Sequence, residues 1–295
     1  MSRIVVAAVS LTLLAPFSAS AQATVTGPTD GGVVEPGPGV GIAISPDGQS
    51  YAFRVRSSSG TAQLYVQRAG GSARPIGGTE AGNDPTFSPD GRSLAFTGGG
   101  EVRRVGLDGG SVARVADNPG GSWHIAWGGG YMVLSGGTAH SGLTYLPDSG
   151  GTPEPLTTAP ERVDRAPITL PDGETVLFFR TIGTNVEDVG AANARVGVTS
   201  LRTRAVTMLD LHGIPLGILG DLLVYHDASS TILGVPFDRM NHRVTGSPRV
   251  LVEQVAINPA TGYVQAALSP SGSLLYQAAG PDPANRPLRV NHGLP

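Results

Sequence analysis

The sequence has 295 residues, a formal net charge of −3 and no cysteine. The absence of cysteine excludes disulfides, thiolate metal sites and a thiol nucleophile. All 20 basic residues are arginines and they form no basic stripe, so we expect no nucleic-acid partner. The 43 glycines and 24 prolines indicate many turns joined by short strands.

The N-terminal segment has the pattern of a secretory signal peptide. Arg3 gives it a positive start, residues 4–17 are apolar, and residues 19–21 form an A-x-A cleavage pattern. The apolar run is shorter than the roughly 20 residues that span a bilayer, which disfavours a membrane anchor. We therefore predict cleavage after Ala21 or Ala23, and a periplasmic or secreted mature chain without a transmembrane span.

A four-residue turn motif recurs along the chain. In its clearest copy, at residues 88–91, Pro89 suits the second position of a β-turn, Asp90 can cap the turn, and Gly91 can take a positive φ. Short apolar runs flank the motif, as they do in a hairpin. We assign a structural role, as turn residues and not as catalysts, to Pro46, Asp47, Gly48, Pro89, Asp90, Gly91, Pro171, Asp172, Gly173, Pro270 and Gly272.

The spacing of the motif predicts the fold. Self-similarity at a period of about 40 to 50 residues is typical of propeller blades. The run after each turn is apolar at nearly every position, as at residues 176–179, which suits a strand buried on both faces. We predict an all-β fold: a single β-propeller of six blades, each with four antiparallel strands. The third and fifth motif copies are degenerate; the six copies start at Ser45, Ser88, Trp127, Leu170, Leu219 and Ser269.

The predicted strands follow the same order in each blade. The first blade shows all four, at residues 41–44, 51–55, 63–66 and 73–76. The third and fourth strands of the next four blades are predicted at residues 102–105 and 112–115, 145–147 and 155–157, 195–198 and 205–209, and 232–237 and 249–252. The sixth blade has its second strand at residues 273–277 and its third at residues 287–290.

The chain ends before the sixth blade gains an outer strand. We divide the sequence into a signal peptide (1–21), a Gly/Pro-rich N-terminal segment (22–39) and a propeller domain (40–295). Residues 24–34 are our candidate for the missing strand, which would close the ring. The alternative is an unclosed or truncated ring with an exposed edge.

The repeat also carries a family resemblance. The turn and apolar strand, followed by a Gly-Gly hairpin and a run like residues 155–157, resemble the TolB-type, WD-repeat-like propeller repeat of bacteria. Over residues 88–279 the order of the repeats resembles the sensor propeller of bacterial Ser/Thr protein kinases. The sequence lacks the kinase domain's strand lysine and D-F-G segment. The resemblance therefore implies a free periplasmic propeller without kinase activity.

Candidate binding residues lie before the first strand of several blades. In a propeller these segments converge on the central funnel, where an acid, a base, imidazoles and a phenol could bind a small ligand or a peptide. The sequence contains no G-x-S-x-G, H-E-x-x-H, EF-hand or Walker motif. The candidates are Asp84, His124, Arg165, His212 and Tyr263.

We expect a monomeric, non-catalytic periplasmic module that binds a protein, a peptide or another ligand and uses no cofactor or metal. Two alternatives stay open. One is a propeller enzyme, a metal-dependent hydrolase or a lyase, with its site in the funnel. The other is a detached or truncated kinase sensor. A stoichiometric metal that is lost when His124 and His212 are changed to alanine would favour the enzyme.

Overall fold

The computed structural model is a ring of six antiparallel β-sheets, four with four strands and two with five. It describes residues 22–25, 32–35, 41–118, 124–135, 142–160, 162–181, 190–258, 261–280 and 287–294. The predicted six-bladed β-propeller is confirmed. The predicted signal peptide lies outside the described residues.

The strands of the first three blades follow one another along the chain. Two short strands come first, β1 (Gln22–Val25) and β2 (Val33–Val34). Blade 1 contains β3 (Ile42–Ile44), β4 (Ser50–Arg56), β5 (Ala62–Arg68) and β6 (Arg74–Pro75). Blade 2 contains β7 (Asn83–Phe87), β8 (Ser93–Gly98), β9 (Glu101–Gly106) and β10 (Ala113–Asp117). Blade 3 contains β11 (Ile125–Trp127), β12 (Tyr131–Leu134), β13 (Thr144–Pro147) and β14 (Glu154–Pro155).

The remaining blades repeat this order. Blade 4 contains β15 (Asp164–Thr169), β16 (Thr175–Thr181), β17 (Ala194–Ser200) and β18 (Val206–His212). Blade 5 contains β19 (Ile214–Leu219), β20 (Leu222–His226), β21 (Ile232–Asp238), β22 (Arg243–Val244) and β23 (Arg249–Val252). Blade 6 contains β24 (Ala266–Leu268), β25 (Leu274–Gln277) and β26 (Leu288–Asn291).

The recurring motif forms the turn between the first and second strands of a blade. At residues 88–91 the Gly91 N–H donates to the Ser88 carbonyl at 2.8 Å. The Ser88 hydroxyl donates to the Asp90 carboxylate at 2.6 Å, and the Arg92 N–H donates to the same carboxylate oxygen at 3.0 Å. These bonds hold the pKa of Asp90 below its usual value, the one from Ser88 contributing most. Gly91 has a φ of 70°, which glycine adopts without strain.

The hydrophobic core is divided among the interfaces between neighbouring blades. The second strand of a blade is almost wholly buried, as in β12 and β20, because both of its faces are covered. Six apolar clusters each join one blade to the next around the ring. Phe53 and Leu275, for example, belong to the cluster between blades 1 and 6. The ring is therefore held together by contacts between sheets.

The N-terminal strand β1 lies at the outer edge of blade 6. It pairs antiparallel with β26, from Gln22 opposite Asn291 to Val25 opposite Leu288. Val25 is buried in the cluster between blades 6 and 1. The next strand, β2, pairs with the end of β4 in blade 1. The N-terminal segment thus joins the last blade of the ring to the first.

In the part of the chain that the structure describes, no helix has the length and apolar character needed to cross a lipid bilayer.

Candidate functional site

The first strands of the six blades surround a central cavity of about 570 Å³. Each of these strands contacts the corresponding strand of the next blade, and β24 contacts β3, so the circuit is complete. The wall is largely apolar and includes Ile42, Ile125, Ile168, Leu216 and Leu268. Small-molecule sites are typically concave, mostly apolar and of this size. We call this cavity the central channel.

The two ends of the central channel differ in chemistry. Every first strand runs from its blade's leading residues towards the recurring turn, so the turns gather at one end and the strand starts at the other. Turn prolines line the first end: Pro46, Pro89, Pro171 and Pro270. The residues at or next to the start of the first strands lie at the second end, and they include Asp84, four positions before the turn of blade 2, and His124, three positions before the turn of blade 3. We call this second end the polar end.

Irregular backbone places residues at the polar end. Asp84 has a φ of 50° and Ala166 a φ of 48°, both in the left-handed region that non-glycine residues rarely adopt. Each lies where the pairing between the first and second strands shifts register, which is the mark of a β-bulge. Bulges redirect side chains, and strained residues of this kind cluster at functional sites.

Four of the five predicted binding residues come together at the polar end. Asp84, His124, Arg165 and Tyr263 are all buried, with exposures of 5%, 7%, 5% and 1%. The rings of His124 and Tyr263 are in edge-to-face contact, with centroids 4.8 Å apart. Phe179 lies against the same tyrosine, with centroids 5.9 Å apart. Asp84, His124 and Tyr263 line the central channel directly.

The two aromatic side chains that meet at the polar end, His124 and Tyr263, are electrically neutral near pH 7. Burial, together with the positive charge of Arg165, lowers the pKa of His124 to about 3. Burial raises the pKa of the Tyr263 hydroxyl above its usual value, although Arg165 opposes this effect; Asp84 adds to it. Near neutral pH the imidazole is therefore unprotonated and the phenol is protonated.

The predicted location of His212 at the central funnel is wrong. His212 is the last residue of β18, an outer strand, and its side chain is exposed. It is not among the residues that line the central channel. The cause is the length of β18: only Gly213 separates its end from the start of β19 at Ile214, so no loop carries His212 inward.

The sequence interpretation also missed His226. This residue ends β20, is 1% exposed and lines the central channel. Its Nδ1 lies 3.1 Å from the Asp227 carbonyl oxygen. Burial lowers the pKa of His226 to about 4, although this contact opposes the shift. The available signal was a histidine that ends an otherwise apolar second strand, residues 222–225.

Within the described ranges, no three histidine, aspartate or glutamate side chains form a group that could hold a metal ion. The polar end therefore offers neutral hydrogen-bonding groups beside one carboxylate, Asp84, and one guanidinium, Arg165.

Comparison with known proteins supports the fold. No protein-family model matches the sequence, and a search of curated proteins found no significant match. Many solved structures are similar. TolB from Acinetobacter baumannii is 16% identical with a TM-score of 0.51; the match covers 86% of this chain and 54% of that TolB. Regucalcin from Agrobacterium tumefaciens, described as a calcium-binding protein, is 18% identical over 70% of this chain and 73% of its own, with a TM-score of 0.51.

A third similar structure is that of a nidogen/laminin complex. The matched chain is 14% identical with a TM-score of 0.57, over 78% of this chain and 85% of that chain. At identities this low, the likeness shows a shared propeller fold, and a shared fold does not imply a shared function.

Proposed function

We propose that this chain is an exported, non-catalytic TolB-like propeller that binds a ligand in its central channel, in the periplasm. The observation that carries the proposal is the channel itself, an apolar cavity with buried polar groups at one end. An apolar wall with a few placed polar groups is the usual composition of a ligand site. The polar groups fix orientation and the wall supplies most of the affinity.

The ionisation states at the polar end support binding rather than catalysis. A general acid or base works best when its pKa lies near the operating pH. His124 and His226 have pKa values of about 3 and about 4, and the pKa of Tyr263 is raised. None of these groups exchanges a proton readily near neutral pH. The TolB-like fold fits the same proposal, while the kinase-sensor resemblance remains a prediction from the sequence.

A channel-filling variant tests the proposed site. Thr86, on the first strand of blade 2, lines the central channel and is partly exposed. We expect Thr86→Trp to fill the channel and to abolish the fluorescence increase of N-phenylnaphthylamine, an uncharged dye that brightens in apolar sites. Thr207→Trp, on the exposed face of outer strand β18, is the matched control and keeps the increase.

Equal dye binding by both variants, with unfolding midpoints matching the wild type, would contradict the channel as the site.

Export is tested separately. The full-length chain is expressed in a Gram-negative host, and the periplasmic protein is analysed by mass spectrometry. We expect an N-terminus at Gln22 or Thr24, and a protein retained uncleaved in the cytoplasm would contradict export.

A further inference from the structure

Hydrogen-bonding atoms without a protein partner belong to side chains that line the polar end of the central channel. Across the described part of the chain, the ring nitrogens of His124, the Tyr263 hydroxyl and Nε2 of His226 have no hydrogen-bond partner. Each of these three side chains is more than nine-tenths buried and lines the channel. Buried polar atoms are normally satisfied, so three orphaned groups at one place indicate a missing ligand.

The hydrogen bond of His226 fixes what its free nitrogen can do. A carbonyl oxygen only accepts hydrogen bonds, so the Nδ1 that faces the Asp227 carbonyl carries the proton and donates it. In a neutral imidazole the other nitrogen is then unprotonated. Nε2 of His226 is therefore an acceptor, and it needs an N–H or O–H donor from the ligand.

Tyr263 and His124 supply hydrogen-bond donors. The Tyr263 hydroxyl is protonated and can donate, and the neutral ring of His124 has one donor nitrogen and one acceptor nitrogen. A ligand at this end must therefore accept at least one hydrogen bond as well as donate one. A carboxylate cannot donate, and an ammonium cannot accept.

The nearby charges do not favour a cationic ligand. Asp84 lines the channel and Arg165 is buried beside it, and both act electrostatically on Tyr263. At that residue the effect of Arg165 is larger than the effect of Asp84. The carboxylate is thus offset by the guanidinium, and a cationic ligand gains little from it.

We infer that the central channel takes a small molecule with an apolar body and an uncharged head group that both donates and accepts hydrogen bonds, such as a primary amide or an alcohol. The apolar body lies along the wall and the head group reaches His226 and Tyr263. This inference rests on the proposed function, because it names the class of ligand for the same site.

Four probes that share one apolar body test the inference. Phenylbutanamide and phenylbutanol have uncharged heads, while phenylbutanoate is an anion and phenylbutylammonium a cation at neutral pH. Binding to the full mature chain is measured by ligand-observed NMR titration. We expect the amide and the alcohol to bind about tenfold tighter than either charged probe, because the charged heads leave one buried partner unsatisfied.

Two variants tie the preference to the named atoms. His226→Phe removes the acceptor nitrogen and is expected to weaken amide binding about tenfold, whereas His212→Phe, outside the channel, leaves it unchanged. Tyr263→Phe removes only a hydroxyl, so it provides a second test if His226→Phe does not fold. We expect Tyr263→Phe also to weaken binding of the amide.

The outcomes separate this inference from the proposed function. If a charged probe binds as tightly as the amide, and Thr86→Trp abolishes that binding, the channel is a ligand site but the head-group inference is wrong. If no probe binds the wild type, both proposals fail. If the amide binds best and both histidine variants bind it equally, the assignment to His226 is wrong.

Discussion

His124 of blade 3 and Tyr263 of blade 6 meet edge to face, their ring centroids 4.8 Å apart. Blades 3 and 6 lie opposite each other in a ring of six, so this contact reaches across the central channel. It places two buried aromatic rings across the polar end, whereas prolines line the turn end. We therefore expect a ligand to enter from the turn end.

The hydroxyl of Tyr263 is expected to reduce stability in the absence of ligand. It is buried, and no described residue hydrogen-bonds it. We expect Tyr263→Phe to raise the free energy of unfolding by about 1 kcal/mol, because a buried hydroxyl without a partner is unfavourable. Urea unfolding measures the change. Tyr145→Phe is the control and should not stabilise, because the Tyr145 hydroxyl bonds Glu154 at 2.9 Å. A destabilised Tyr263→Phe protein would contradict the prediction.

The buried histidines predict that stability falls in mild acid. The folded-state pKa values are about 3 for His124 and about 4 for His226, against about 6.5 for an unfolded histidine. Between pH 6.5 and 4 the unfolded chain binds more protons, so stability is full above pH 6.5 and is lost as the pH falls. Each histidine contributes a slope approaching about 1.4 kcal/mol per pH unit.

His124→Phe isolates one of these contributions, since it keeps an aromatic ring against Tyr263. We expect its unfolding free energy, measured in urea at pH 7, 6 and 5, to decline less steeply than that of the wild type. Parallel pH profiles for the two proteins would show that His124 binds protons equally in both states.

Two glycines of the recurring turn separate backbone strain from crowding. Gly48 and Gly173 have φ values of 73° and 72°, so a side chain strains both equally. A Cβ at Gly48 would lie 2.5 Å from the Ser273 Oγ and 2.9 Å from the Ser273 Cβ. A Cβ at Gly173 would have no such neighbouring atom within 4 Å. We expect Gly173→Ala to lose about 1 kcal/mol and Gly48→Ala to lose more. Thermal unfolding shows which variant is less stable. Equal losses of stability would mean that Ser273 in blade 6 moves aside without an energetic cost.

The predicted cleavage position affects stability through β1. Cleavage after Ala21 leaves the whole of Gln22–Val25, while cleavage after Ala23 removes the pairs of Gln22 with Asn291 and of Ala23 with Val290. We expect the chain that starts at Thr24 to be about 1 to 2 kcal/mol less stable. Both forms are made directly and unfolded in urea. Identical midpoints would mean that these two pairs add nothing to ring closure.

The fold was predictable from the sequence because the same local chemistry is repeated. Proline and glycine set each turn, and an apolar second strand such as Leu222–His226 follows it, so counting turns counts blades. The common location of four binding candidates was predictable because all first strands run in one direction. His212 and His226 were not, because their positions depend on where β18 and β20 end, which single-residue preferences do not determine.

The pairing of β1 with β26 has a consequence for the timing of folding. Ribosomes make the N-terminal end first, yet Gln22–Val25 pairs with Leu288–Asn291, which is synthesised long afterwards. Blades 1 to 5 can form as they arrive, whereas blade 6 must await the final segment, because contacts this distant in sequence form slowly. The propeller therefore stays an open arc until Leu288–Asn291 has been made, and only then becomes a closed ring.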